Sequence, residues 1–264
     1  MSLMPTAPRS IGGVLDNAIR LFRAVLPRSL PLVIGAVVAM ALLGATLTYR
    51  MMNLGLPGIA ALRAFYLSPA TWLSYLVILA VTVLVYNAIF VIADAVARGA
   101  EPSLGAALSV ASKRWLPSIA LSIVLMVIIG IGLVLLVLPG IWLWGALQFS
   151  LVALLIERQG VFASLGTSFR LVKGNWWRSV TIMTVSIIIM YVLVMVLAIA
   201  VGILTASLRL SLTGSIILQQ VLSALLNLVL LPFLPTVLLS IYYDLKLRSE
   251  GTDLAARLQA IKAG

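Results

Sequence analysis

The clearest periodicity in the chain lies between residues 160 and 178, GVFASLGTSFRLVKGNWWR, set between two long apolar blocks. Phe162, Leu165, Phe169 and Val172 recur at spacings of three and four and so share one face of a helix, while Ser164, Thr167 and Ser168 fall on the other. This two-faced pattern predicts a helix lying on a surface. Gly174 is suited to stop it and Asn175 to cap the next helix. Trp176, Trp177 and Arg178 are residue types that settle where lipid headgroups meet hydrocarbon. Lys173 falls near the apolar stripe, so it must either end the helix or snorkel to the headgroups.

Two weaker copies of this design occur earlier. Ser10 caps a predicted helix with Ile11, Val14, Leu15, Ala18, Leu21, Phe22 and Val25 on the apolar face and Asp16, Asn17, Arg20 and Arg23 on the polar one, with Pro27 as its break. Pro102 and Ser103 introduce the second copy, where Leu104, Ala107, Leu108, Ala111 and Trp115 align opposite Lys113. Each piece leads into uncharged runs: 30–48 and 72–93, then 116–156, then 179–208 and 210–243. The run 116–156 is 41 residues, about 60 Å as one helix, roughly twice the hydrocarbon thickness. It must turn back, and Leu138-Pro139-Gly140 is the predicted reversal, leaving a short fourth span over 141–156 or a re-entrant hairpin.

Residues 49–71 read as an external loop with one interfacial turn, and Thr213-Gly214 as a second external turn. Pro232 and Pro235 predict a kink, and a short helix is expected from Thr252. The fold class expected is all-α, a polytopic transmembrane helical bundle of about six spans. Amphipathic helix, span, span recurs as three pseudo-repeats over 10–94, 103–157 and 161–244. Residues 1–264 then form one integral membrane domain, with 245–264 as a cytoplasmic tail.

Composition agrees. Hydrophobic residues make up 63% of 264 and charged residues 9%, a balance that no water-soluble domain of this size could hide from solvent. The net charge of +11 sits beside apolar spans, which points to anionic lipid rather than nucleic acid. Fifteen of the eighteen basic residues fall on the side of the amphipathic pieces, leaving Arg50, Arg63 and Arg209 for the other. By the positive-inside rule that side, with both termini, is cytoplasmic. The opening MSLMPTAPRS is too short and too polar for a cleavable signal, so the first span is expected to serve for targeting.

The candidate chemistry is sparse. With no cysteine and no histidine, thiolate chemistry, the usual proton shuttle and the commonest transition-metal ligand are missing, and no serine or threonine has a candidate base. No catalytic, metal or cofactor site is expected. Asp94, Glu157 and Asp244 each close the second span of a unit, at one membrane face. They could form a three-carboxylate cluster that binds a cation or passes protons, or pair with Arg114, Arg170 or Arg178; the second reading fits better, because the acids lie at the boundary and not deep in the bilayer. Lys113, Arg114 and Trp115, and again Arg170, Lys173, Trp176, Trp177 and Arg178, are candidate contacts for anionic headgroups, the alternative being plain interfacial anchoring. Asn87, Gln148, Gln219, Gln220 and Asn227 are expected to hydrogen-bond across helix contacts, and Gly130 and Gly132 to permit close approach.

Four stretches, SIGGVLDNAIRLFRA, LPGIWL, GVFASLGTSFRLVKGNWWR and PTVLLSIYYDLKLRSEGTDL, in that order and together spanning nearly the whole chain, resemble a bacterial membrane family. It is the membrane domain attached to some glycerophosphodiester phosphodiesterases, with its stand-alone YciC-like relatives. The resemblance implies a multi-span helical protein without the phosphodiesterase activity, which in that family belongs to a separate barrel built with histidine and metal-binding carboxylates. The function expected is non-enzymatic: contact with anionic membrane lipids in support of envelope organisation, with a homo-oligomer or membrane protein as partner. A lipid translocator or transporter, and a membrane subunit of a lipid-metabolising enzyme, are the alternatives.

Overall fold

A computed structural model describes residues 3–56, 58–208 and 211–263, with the backbone alone at residue 212 and residues 252–263. Pro57 and Arg209, assigned above to the outer side, and the side chains of Arg257 and Lys262, assigned to the inner one, lie outside the described residues. The elements are α1 (Ile11–Met52), α2 (Gly58–Leu67), α3 (Pro69–Ala97), α4 (Leu104–Lys113), α5 (Trp115–Leu135), α6 (Val137–Leu147), α7 (Ser150–Ile156), α8 (Val161–Val172), α9 (Trp176–Ser207) and α10 (Leu212–Ala263), with no strand among the described residues. Six helices are long and apolar enough to cross a membrane, α6 and α7 counting together. The chain is an all-helical, multi-pass membrane protein.

Several ends form as the residues dictate. The Ser10 and Ser103 hydroxyls accept from the backbone N–H of Gly13 and Ala106, capping α1 and α4. Gly174, at φ +82, stops α8, and Lys173 leaves the helix there with ψ 124 instead of snorkelling along it. Asn175 takes the cap position of α9 without a side-chain cap bond.

Other expectations are corrected. α1 runs unbroken through Pro27 and Pro31. Each proline removes one backbone bond, but Val25, Ser29, Val33, Ala36 and Val37 keep one continuous face buried, and that packing carries the helix past both. On its first turns Val14, Ala18, Leu21 and Val25 are buried and Asp16, Arg20 and Arg23 exposed, as expected; Ile11 is exposed instead of buried, and Asn17 is buried with the Arg9 guanidinium donating to its side-chain carbonyl oxygen. Residues 58–67 form the full helix α2, not one turn. Thr213 and Gly214 open α10, with the Ser211 hydroxyl accepting from the Gly214 N–H, so they are helix and not turn. α10 then continues past Thr252 without a fresh start. The three units also differ in plan: amphipathic piece and span are one helix in the first, and separate helices in the second and third.

The α5–α6 reversal is at Leu136, which is extended, one turn before Pro139-Gly140. Gly140 then faces α5, where an added Cβ would lie 2.5 Å from the Leu133 side chain and 2.7 Å from its backbone nitrogen. A Cβ added at Gly132 would lie 2.9 Å from the Leu143 side chain and 3.0 Å from the Gly140 Cα, whereas Gly130 has open space.

Burial is concentrated at one end of the four long helices. The buried residues are mainly in α1 up to Val37, α3 from Val85, the first turns of α9 and α10 from Thr236 to Leu245, together with α7 and the Ser164–Ser168 face of α8. Many are small: Ala18, Ala88, Ala93, Ser164, Ser168 and Ser179 let backbones approach closely, as helices in lipid require. Away from this end the side chains are apolar and exposed, for example Ile131, Tyr191, Ile203 and Ile217.

Gly140→Ala is expected to lower stability by about 1–3 kcal/mol through overpacking, while Gly130→Ala leaves it unchanged or slightly raised. Thermal melting of the purified protein in one detergent checks both; equal melting of the two variants would remove the Gly132–Gly140 contact as the reason for the tight hairpin.

Candidate functional site

Three consecutive positions of α10 collect the three carboxylates. Successive helical residues point about 100° apart, so Tyr242, Tyr243 and Asp244 reach three different neighbours. The Tyr242 hydroxyl donates to Glu157 at 2.6 Å and the Tyr243 hydroxyl donates to Asp94. The Asp244 carboxylate, 1% exposed, accepts from Arg178 at 3.0 Å, from Arg248 at 3.0 Å and from the Arg9 backbone N–H at 2.7 Å. Arg178 and Arg248 also donate to the Arg9 carbonyl. One aspartate therefore fastens the N-terminal arm, the start of α9 and the last long helix at a single point.

The carboxylates do not form a shared cation site. Asp94 is paired with Arg98 at 2.9 Å and Glu157 with Lys246 at 2.6 Å, and no group of three acids among the described residues could hold a metal ion. Of the expected partners only Arg178 meets a carboxylate. Arg114 instead donates to the carbonyls of Arg158 and Gln159, where Arg158 has the left-handed φ of 56, and Arg170 donates to Thr167 on its own helix. Asp94 and Glu157 lie at helix C-terminal ends, where the dipole disfavours them. Asp244 does not, since α10 runs on to Ala263. Arg178, in the first turn of α9, is at the unfavourable end for a cation, and Asp244 offsets this.

Burial works against the Glu157 carboxylate, but the hydrogen bonds from Lys246 and Tyr242, together with the lysine charge, outweigh it and hold the group below the usual carboxylate range. The folded state therefore binds this proton less readily than the unfolded chain. Its contribution to stability is present above the ordinary glutamate value and is lost as pH falls through the depressed one.

The aromatic residues build a second feature. The Trp176 indole N–H donates to the Trp142 carbonyl at 3.0 Å, Trp177 stacks edge-on against Trp176 at 4.8 Å, and Trp142 meets Phe169 at 5.5 Å. The result is an apolar cleft between α6 and α9, lined by Leu138, Trp142, Trp176, Trp177 and Val180; a smaller hollow shares Trp142 and Trp176 with it and adds Phe169, Lys173 and Gly174. Trp177 is 78% exposed, and among the described residues nothing pairs with the Lys173 ammonium. Arg178 has been drawn inward to Asp244, and Arg170 does not line the cleft.

The earlier trio is dispersed. α4 runs back along α3, and the Trp115 indole N–H donates to the Ala80 carbonyl, about four turns up α3 from Asp94. Lys113 stays exposed while Arg114 is occupied by backbone carbonyls. The amides divide: Asn87 donates to Ser118 across the α3–α5 contact at 2.9 Å, as expected, whereas Gln148 and Asn227 bond within their own helices.

α8 has the two faces expected and turns the serine one to the protein, with Val172 buried as well. Ser164 and Ser168 face the protein, and Phe162, 78% exposed, faces out with Phe169. Ser168 is the reason. Between α6 and α7 the ladder is interrupted, leaving the Ala146 carbonyl and the Phe149 N–H, and the Ser168 hydroxyl donates to the first at 2.8 Å and accepts from the second at 3.1 Å. The residues missed by sequence reasoning are Arg9, Arg98, Trp142, Tyr242, Tyr243, Lys246 and Arg248. Two tyrosines beside an acid, with two bases beyond them at helical spacing, are the signal that could have found most of them.

Asp244→Asn is expected to cost on the order of 3 kcal/mol, because it leaves two arginines without their buried counter-charge, against about 0.5 kcal/mol for Asp16→Asn, whose pair with Arg20 is exposed; denaturant unfolding in mixed micelles checks the contrast. The melting temperature should also drop on acidification below the ordinary carboxylate range, and drop less in Glu157→Gln, which starts lower; parallel acid profiles for the two proteins would contradict the assignment. No family model, no curated protein and no solved structure matches this chain.

Proposed function

We propose that the chain is a non-enzymatic multi-pass protein of a bacterial inner membrane that binds anionic lipid headgroups on its basic side and supports envelope organisation or a membrane partner. The observation that carries this reading is the α6–α8–α9 cleft, where exposed tryptophan surface adjoins Lys173, which has no partner among the described residues. An indole face and an apolar floor suit the boundary between acyl chains and headgroups, and an ammonium at its edge suits a phosphate. Lys113, exposed beside α3, adds a weaker contact of the same kind. The four motifs resemble a membrane domain whose family keeps its phosphodiesterase activity in a separate barrel, which supports a non-enzymatic role for this helical bundle. Both termini, with fifteen of eighteen basic residues, are assigned to the cytoplasm.

In nanodiscs the protein is expected to melt at a higher temperature with phosphatidylglycerol present than in phosphatidylcholine alone, and the paired change Lys173→Gln with Trp177→Ala should remove most of the difference. Equal melting in both lipids would count against headgroup binding. Since native cysteine is absent, single cysteines at Ser10, Ser68, Ser112, Ser211 and Ser249 can map sidedness, with all but Ser68 and Ser211 labelling from the cytoplasm.

A further inference from the structure

Away from the aromatic cleft, α1, α9 and α10 diverge to leave a groove of about 300 Å³. Its walls include Ile19 and Phe22 of α1, Met190 and Leu193 of α9, and Phe233 of α10. Two of its lining residues are polar. Ser186 is buried and its hydroxyl already donates to the Ile182 carbonyl, so it offers a ligand nothing. The other is Arg23, exposed and without a carboxylate or carbonyl partner among the described residues. Its neighbours on α1 differ, since Arg20 is paired with Asp16 and Arg28 donates to the Ala24 carbonyl.

The position of this cation matters. Phe22 meets Phe233 edge-on at 5.6 Å, which sets this level about three turns, or roughly 16 Å, along α10 from Asp244. At the same level α9 is in its long uncharged run. An arginine beside such a surface is costly unless its head reaches water, a headgroup or a counter-charge. Side chains on a helix lean toward its N-terminus, so Arg23 leans back toward the Arg9–Asp244 end, where the basic residues gather. The groove thus offers an apolar channel with, among the described residues, one unpaired positive charge at its rim.

We propose that this groove holds one acyl chain of an anionic phospholipid, with the lipid phosphate on the Arg23 guanidinium. The inference deepens the lipid-binding reading and rests on it, but it uses a different face and different residues from the Trp176–Lys173 cleft. A free phosphate would leave the channel empty, and a zwitterionic lipid would leave the arginine beside a compensated charge. The occupant that satisfies both features is a lipid with net negative charge.

The test uses the full chain in phosphatidylcholine nanodiscs carrying a photoactivatable acyl-chain analogue of either phosphatidylglycerol or phosphatidylcholine, with cross-linked peptides identified by mass spectrometry. The phosphatidylglycerol probe is expected to label α1, α9 and α10 around Phe22, Met190 and Phe233, and the phosphatidylcholine probe to label them much less. Arg23→Gln, at an exposed position, should cut the phosphatidylglycerol yield there about tenfold, the loss of one charge-assisted contact, while Arg23→Lys keeps most of it. Met190→Trp should block labelling by filling the channel. The pair Lys173→Gln with Trp177→Ala, which tests the other cleft, should leave these cross-links unchanged. Wild-type yield in Arg23→Gln, or equal labelling by the two probes, overturns the proposal. If Arg23→Gln has no effect while the Lys173 and Trp177 pair abolishes the lipid-dependent melting, headgroup binding stands and the groove assignment falls.

Discussion

A carboxylate that is 1% exposed in a protein of this composition needs its charge met from several sides, and Asp244 has that. Two guanidinium groups and a backbone N–H converge on it, and the same two guanidinium groups reach on to the Arg9 carbonyl. The geometry ties the entry to α1, the start of α9 and the body of α10 to one point. Removing either side leaves the other uncompensated. Tyr242 and Tyr243 extend the arrangement sideways to Glu157 and Asp94, so the ends of α7 and α3 are held by the same turn of α10.

This explains why burial falls away from that end. Between helices in lipid there is no hydrophobic drive to associate, because acyl chains are as apolar as leucine; close packing of small residues and interhelical polar contacts must do it instead. Both are plentiful beside Asp244, where alanine and serine alternate with Phe90, Phe149 and Leu239. Farther along, α5, α9 and the first half of α10 carry mainly large aliphatic side chains, with Asn227 bonded within its own helix. Those helices have little to hold them to one another, and apolar grooves open between them.

Much of the architecture was legible in the chain because hydropathy and length are strong signals in membrane proteins. The six long apolar helices, the Ser10 and Ser103 caps and the Gly174 stop were all readable from local chemistry. Proline was misread at Pro27, since its local penalty was weighed without the buried face that α1 keeps through Val33 and Val37. Tyr242 and Tyr243 bring Glu157 and Asp94 to the same turn of α10 as Asp244, and of the expected partners only Arg178 meets a carboxylate. Arg98 and Arg248 lie four residues beyond Asp94 and Asp244, a local helical spacing that encodes both pairs, whereas Lys246 on Glu157 depends on how α10 passes α7.

α8 shows the deepest ambiguity. A period of 3.6 identifies two faces but does not say which is inside. In water the aromatic face of 161–172 would turn in. Here the serine face does, because the interrupted α6–α7 ladder presents a bare carbonyl and a bare N–H that cost far more unpaired in an apolar surrounding than Phe162 and Phe169 gain by leaving lipid. That inversion also puts the aromatic stripe outward, level with Trp142 and Trp176, and so the cleft that carries the lipid-binding reading exists because Ser168 is needed elsewhere.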